Sequence, residues 1–154
     1  MATKAAGCLH LIAATCFGAV AFSSSATAQD IAGFTVLGDG IDVPLAGLKG
    51  DAARGQKLAF DPERGNCTIC HPVPGGDPRG QGTIGPSLAG VGGRLTLAQL
   101  RLRVVDGTRI NPATIMPPYH RVDGLNRVGT AWRGKPVLAA QEVEDVVMFL
   151  ATLK

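Results

Sequence analysis

The run Cys67-Thr68-Ile69-Cys70-His71 limits what this chain can fold around more than any other feature. Two thiols three residues apart fall on nearly the same side of one helical turn, so both can add to the vinyl groups along one edge of a porphyrin. The adjacent imidazole then reaches the iron. A zinc site would need two further ligands at matching spacing, and a redox dithiol would need a preceding strand within a βαβ pattern. Neither pattern is present. One covalent haem is therefore the expected cofactor, with Cys67 and Cys70 as its attachment points and His71 as an axial iron ligand; a lone disulfide or accidental spacing is the competing reading.

The first residues bear on where that chemistry takes place. Lys4 supplies a short basic start, Leu9 to Phe22 is almost wholly apolar, and Ala26-Thr27-Ala28 places small residues where a signal peptidase reads. Residues 1–28 are expected to be a signal peptide, cut before Gln29. The apolar run is too short for an ordinary membrane span. A lipoprotein signal at Cys16 competes, but Ala14-Thr15 fits it poorly. With Cys8 and Cys16 removed, only Cys67 and Cys70 remain, which suits haem attachment in the periplasm better than a disulfide framework.

What remains is one domain by length, with an N-terminal arm expected over residues 29–49 and the haem-bearing body over 50–154. The formal charge of the whole chain is +3, of which Lys4 carries one, and the arginines are scattered without a basic block or interleaved aromatics. Nucleic acid is not an expected partner. Aromatic residues make up 5% of the chain while glycines number 21 and prolines 10, so the side chains alone supply little large apolar surface. A haem would provide it.

Three helices separated by long loops are expected, an all-α arrangement. The first covers Asp51 to Phe60, opened by Gly50-Asp51 and stopped by Asp61-Pro62. Gly55 within it costs about 1 kcal/mol relative to Ala, which implies close approach of another helix. Thr96 with Gln99 forms a capping box for the second, Leu97, Leu100, Val104 and Val105 are expected to face inward, and Gly107 stands where a left-handed closing residue would fall. The last runs from about Ala140 to Leu153, with Val143, Val146, Val147, Leu150 and Leu153 repeating at three and four. Ala139-Ala140 gives it no side-chain cap, and Glu142, Glu144 and Asp145 suit the positive end of its dipole. Phe34-Thr35-Val36 and Ile41-Asp42-Val43 read at most as short extended pieces.

Met116, Met148 and His120 are the candidates for the second axial position. Met148 sits among Val147, Phe149 and Leu150 and reads as a core methionine. Met116 precedes two prolines that fix φ and stiffen the chain, a setting able to hold a soft sulfur against iron. Met116 is the expected ligand, and methionine opposite histidine suits electron transfer better than catalysis at the iron. A backbone carbonyl near Pro86, in Gly85-Pro86-Ser87-Leu88, is expected to accept the Nδ1 proton of His71.

Taken together, the glycine-containing first helix, the haem motif, the Gly-Pro-x-Leu loop, the Met-Pro loop and the amphipathic last helix with Phe149 resemble a class I cytochrome c. Gly50-Asp51-Ala52-Ala53-Arg54-Gly55, Gln81 to Leu88, Met116-Pro117-Pro118-Tyr119 and Gly124-Leu125-Asn126-Arg127-Val128 narrow the resemblance to the X subunits of the SoxAX cytochromes of bacterial sulfur oxidation. The resemblance implies a heterodimer with a larger SoxA-like haem subunit, which joins thiosulfate to a cysteine of a carrier protein. It also implies that this chain takes up the released electrons and passes them to a soluble cytochrome c, with no catalytic residue of its own. A freestanding cytochrome shuttle, or a haem enzyme or gas sensor with an open iron, shares much of this pattern. The arm residues Phe34, Val36, Ile41 and Leu45 and the haem edge are the expected docking surface.

Overall fold

The computed structural model describes Met1 and residues 31–154; the expected signal peptide and its cleavage site before Gln29 otherwise lie outside the described residues. Among these residues there are helices α1 (Ala52–Phe60), α2 (Val91–Arg94), α3 (Leu97–Asp106) and α4 (Ala140–Thr152), joined by loops and short 3-10 turns. No strand forms among them. The extended pieces expected near Phe34 and Ile41 come to one isolated antiparallel bridge, Leu37 with Gly40. The short α2 was not expected from the sequence, because four residues, two of them glycine, carry no periodicity.

The start of α1 follows the sequence: Asp51 is extended, and its carboxylate accepts the Arg54 amide at 2.8 Å, which satisfies one of the helix's orphan donors. Gly55 lies against α4, where an added Cβ would collide with the Asp145 carbonyl and the Phe149 Cβ. The expected close approach is therefore real, and α1 crosses α4 at this glycine. Phe149 continues the contact by tilting its ring against Phe60, at 6.4 Å between centroids.

Helix α3 begins with the expected reciprocal box: Gln99 N donates to Thr96 Oγ1 at 3.2 Å, and Thr96 N donates to Gln99 Oε1 at 2.9 Å. Its end departs from expectation. Gly107 is right-handed at φ −61 and continues into a 3-10 turn, Gly107–Arg109. The stop comes instead from Asp106, whose buried carboxylate accepts the Thr108 amide and hydroxyl and is neutralised by Arg121 at 3.0 Å and Arg109 at 3.3 Å. Leu100, Val104 and Val105 are buried as expected, but Leu97 is 43% exposed because the first turn projects beyond the core. Arg101 occupies the interior in its place.

Val143, Val146, Val147 and Leu150 of α4 are buried, with Leu153 partly so. Ala139 caps nothing with its side chain, yet its amide donates to Glu142 Oε2 at 2.8 Å, so half of a capping box survives. Glu144 and Asp145 do more than face a helix dipole. Glu144 is buried and accepts Arg101 Nε at 2.8 Å and the Leu45 amide at 2.9 Å, while Arg101 Nη1 donates to the Ile41 carbonyl. Asp145 accepts two bonds from Arg54 and one from the Asp51 amide. Burial opposes ionisation of Asp145, but these donors and Gln141 hold its carboxyl below the usual carboxylate value.

These bonds also correct the expectation for the arm. Ile41 and Leu45 are both 1% exposed and belong to the core, with Phe34 and Val36 packed against it. Ile41 and Leu45 are internal packing and not available for docking, whereas Phe34 and Val36 are only partly buried.

Candidate functional site

Cys67–Ile69 forms a 3-10 turn, in which residues three apart eclipse one another, so Cys67 and Cys70 project from the same side. Asn66 enters it in the left-handed conformation, φ 46, and the His71 amide closes it on the Cys67 carbonyl at 2.9 Å. No disulfide joins Cys67 to Cys70. Burial pushes the Cys67 thiol up to about 11, the opposite of the lowered value that a redox dithiol requires.

The Gln81–Leu88 loop is laid along this turn by its backbone. Gly82 N donates to Thr68 O at 2.8 Å, Gly85 N to Cys70 O at 2.8 Å, and Leu88 N to Pro72 O at 2.9 Å. The Gln81 amide adds a clamp, accepting from Val73 N at 2.6 Å and donating to Val73 O at 3.0 Å. Together they put the Pro86 carbonyl 2.7 Å from His71 Nδ1, the atom that donates there, leaving Nε2 for a metal. The imidazole lies so close to Gly85 that a Cβ there would collide with the ring, nearest its Cε1.

Across from this turn, the Met116 segment is tied at both sides. Tyr119 N donates to Val104 O at 3.2 Å, joining the segment to the end of α3, and the Tyr119 hydroxyl donates to Gly65 O at 2.7 Å, just before the cysteine turn. Burial raises the Tyr119 hydroxyl above its ordinary value, so it stays a donor.

Between the two walls is a cavity of about 610 Å³, within the usual range for cofactor sites. Cys67, Cys70, His71, Pro86 and Met116 all line it, and Leu100, Val104, Leu138, Val146 and Leu150 supply an apolar floor from α3, α4 and the loop before α4. Of the three candidates for the second axial position, only Met116 reaches this cavity. Met148 sits on another face of α4, against Gly50. His120 is buried, bonded through Nδ1 to Leu138 O at 2.8 Å, and does not line the cavity.

Two lining residues were not singled out from the sequence. Arg94 donates to the Ala89 carbonyl at 2.6 Å and Arg103 to the Gln99 carbonyl at 2.9 Å, and neither has a carboxylate partner among the described residues. Two cations at the edge of an apolar cavity match a flat apolar group bearing two acids. In the sequence they are two of several scattered arginines, which look alike until the fold collects these two at one cavity. At the mouth, Ile84 and Ile115 are 68% and 75% exposed, an apolar rim left uncovered among the described residues.

A covalent haem fits these walls: two eclipsed thiols, an oriented imidazole, a facing thioether and an apolar floor. The cytochrome c family model matches residues 52–154, and the chain belongs to that family. Its cofactor is covalently bound haem c, its general function is electron transfer, and its fold is that of the class I cytochromes c. Within the family it is a SoxX-like cytochrome, similar to a chain of the crystal structure of SoxXA from P. pantotrophus at 36% identity and a TM-score of 0.72, covering 79% of this chain and 94% of that one. Comparison with curated protein sequences gave no match. No helix among the described residues is long and apolar enough to cross a membrane.

Proposed function

We propose that this chain is the smaller haem subunit of a thiosulfate-oxidising cytochrome pair, accepting electrons from a SoxA-like haem subunit and passing them to a soluble cytochrome c. The observation that carries the reading is the likeness to the SoxXA chain over nearly all of that chain's length. Residues 1–28 are removed on export, residues 29–49 form the arm, and the protein works in the periplasm. Cys67 and Cys70 would hold one haem through thioether bonds, and His71 and Met116 would supply the donor atoms to its iron. When bound, the haem supplies one-electron oxidation and reduction at an iron closed to outside ligands.

The chain's own residues set the conditions for that exchange. Pro86 O fixes the His71 ring and raises the basicity of its metal-facing nitrogen. Arg94 and Arg103 at the cavity would pair with the acid groups of the haem, and Leu100, Val104, Val146 and Leu150 exclude water, which limits reorganisation when the charge changes. The isoleucine rim gives the partner haem subunit an apolar place to seat. Sulfur chemistry belongs to that partner, because the mature chain has no third cysteine to carry a sulfane adduct.

Reconstitution tests the reading. Mixed with its SoxA-like partner, thiosulfate and the carrier protein, the haem of this chain becomes reduced, while the isolated chain exchanges electrons but does not join thiosulfate to the carrier cysteine. A chain that remains monomeric and oxidised in the mixture is a freestanding shuttle instead.

A further inference from the structure

Residues 121–137 leave the body of the protein and return to their starting point. The Leu138 amide donates to Tyr119 O at 2.9 Å and His120 Nδ1 lies 2.8 Å from Leu138 O, so the neck is closed by hydrogen bonds. Ω-shaped excursions of this kind are frequently functional. The haem cavity makes no use of this one, since none of its residues lines that cavity.

The loop has a concavity of its own, about 320 Å³, in which Arg127, Trp132 and Arg133 surround Val122, Leu125 and Val128. Trp132 is the sole tryptophan of the chain and is 41% exposed. Arg127, Arg133 and the adjacent Lys135 are exposed and form no ion pair among the described residues, and Asp123 is the one acid in the loop. Arg121, at the neck, differs in being neutralised by Asp106. Arg127 stands at φ 56, a left-handed conformation uncommon for a residue other than glycine.

We propose that loop 121–137 is a docking surface for the acidic face of a transient protein partner, with the Trp132 indole and the Arg127 and Arg133 guanidinium groups as its anchors. The sign of the charge selects an acidic partner. Tryptophan and arginine are the residue types that dominate interface energetics. An open, charged and wet patch steers encounter and releases readily, whereas the apolar rim at the haem mouth suits a lasting contact. The patch stands whether or not the chain pairs with a second haem subunit.

The test is a nuclear magnetic resonance titration of the haem-loaded, 15N-labelled protein with an octaglutamate peptide, using octalysine as the opposite-charge control. The Trp132 indole N–H and the amides of residues 121–135 shift with octaglutamate and not with octalysine, and the shifts fade as salt is raised. Arg127→Glu with Arg133→Glu weakens binding roughly tenfold or more, while Lys57→Glu, an exposed reversal on α1, leaves it unchanged. Because Arg127 has a positive φ, Arg127→Gly serves as a second variant that removes the charge without straining the backbone; it also weakens binding. Shifts elsewhere or nowhere, equal loss in Lys57→Glu, or binding of the loop to phosphatidylglycerol vesicles without any peptide contact would each overturn the proposal.

Discussion

Met116 and Met148 carry the same thioether, yet only Met116 lines the cavity that His71 also lines. Met116→Ala is expected to abolish the weak near-infrared sulfur-to-iron band and to let the reduced haem bind carbon monoxide, whereas Met148→Leu keeps the native spectrum. Loss of the band in the Met148 variant alone would reverse the assignment. His71 depends in the same way on a neighbour with no side-chain chemistry, because the Pro86 carbonyl reaches Nδ1 only while position 85 lacks a Cβ.

At the scale of elements, the α1–α4 crossing and the arm clasp hold the walls of the site together. Gly55→Ala forces a methyl group into the Asp145 carbonyl and the Phe149 side chain. Overpacking of this kind costs about 1–3 kcal/mol, which corresponds to a fall of about 4 °C in Tm per kcal/mol for a domain of this size; thermal unfolding of the haem-loaded protein measures it. Glu144→Ala strands Arg101 and the Leu45 amide in the interior. Breaking a buried pair from one side costs about 3–5 kcal/mol, and the double change Arg101→Met with Glu144→Leu recovers much of it. Denaturant midpoints separate the two outcomes, since equal loss in single and double variants would mean that the pair is net stabilising beyond its packing.

For the whole molecule, the buried carboxylates of Asp106 and Asp145 set the response to acid. Burial opposes their ionisation, but the Thr108 donors with Arg121 and Arg109 around Asp106, and Arg54 with the Asp51 amide around Asp145, hold both below the ordinary carboxylate value. A depressed folded value means the stabilisation is complete above the unfolded value of about 3.9 and is lost as pH falls below it toward the folded value. Stability measured by denaturant is therefore expected to change little between about pH 7 and pH 5 and to drop below about pH 4, with a shallower drop in Asp145→Asn. A flat profile down to pH 3 would contradict this.

Local order in the chain was enough to determine the haem motif, the Asp51 and Thr96 caps, the stripe on α4 and the need for a close approach at Gly55, because each depends on residues within a turn or two of one another. Other features required the tertiary structure. The clasp of Arg101 on Glu144 and Ile41 and the two arginines at the cavity join residues far apart in the chain, while the ending of α3 at Asp106 and the cationic loop around Trp132 depend on how nearby segments fold back on one another. The same side chains read from sequence alone as scattered charge, and the apolar arm read as a docking face when Ile41 and Leu45 are interior. Periodicity reports which face of an element is apolar. What that face meets, and whether a charge on it is buried against a partner or left to solvent, depends on long-range packing.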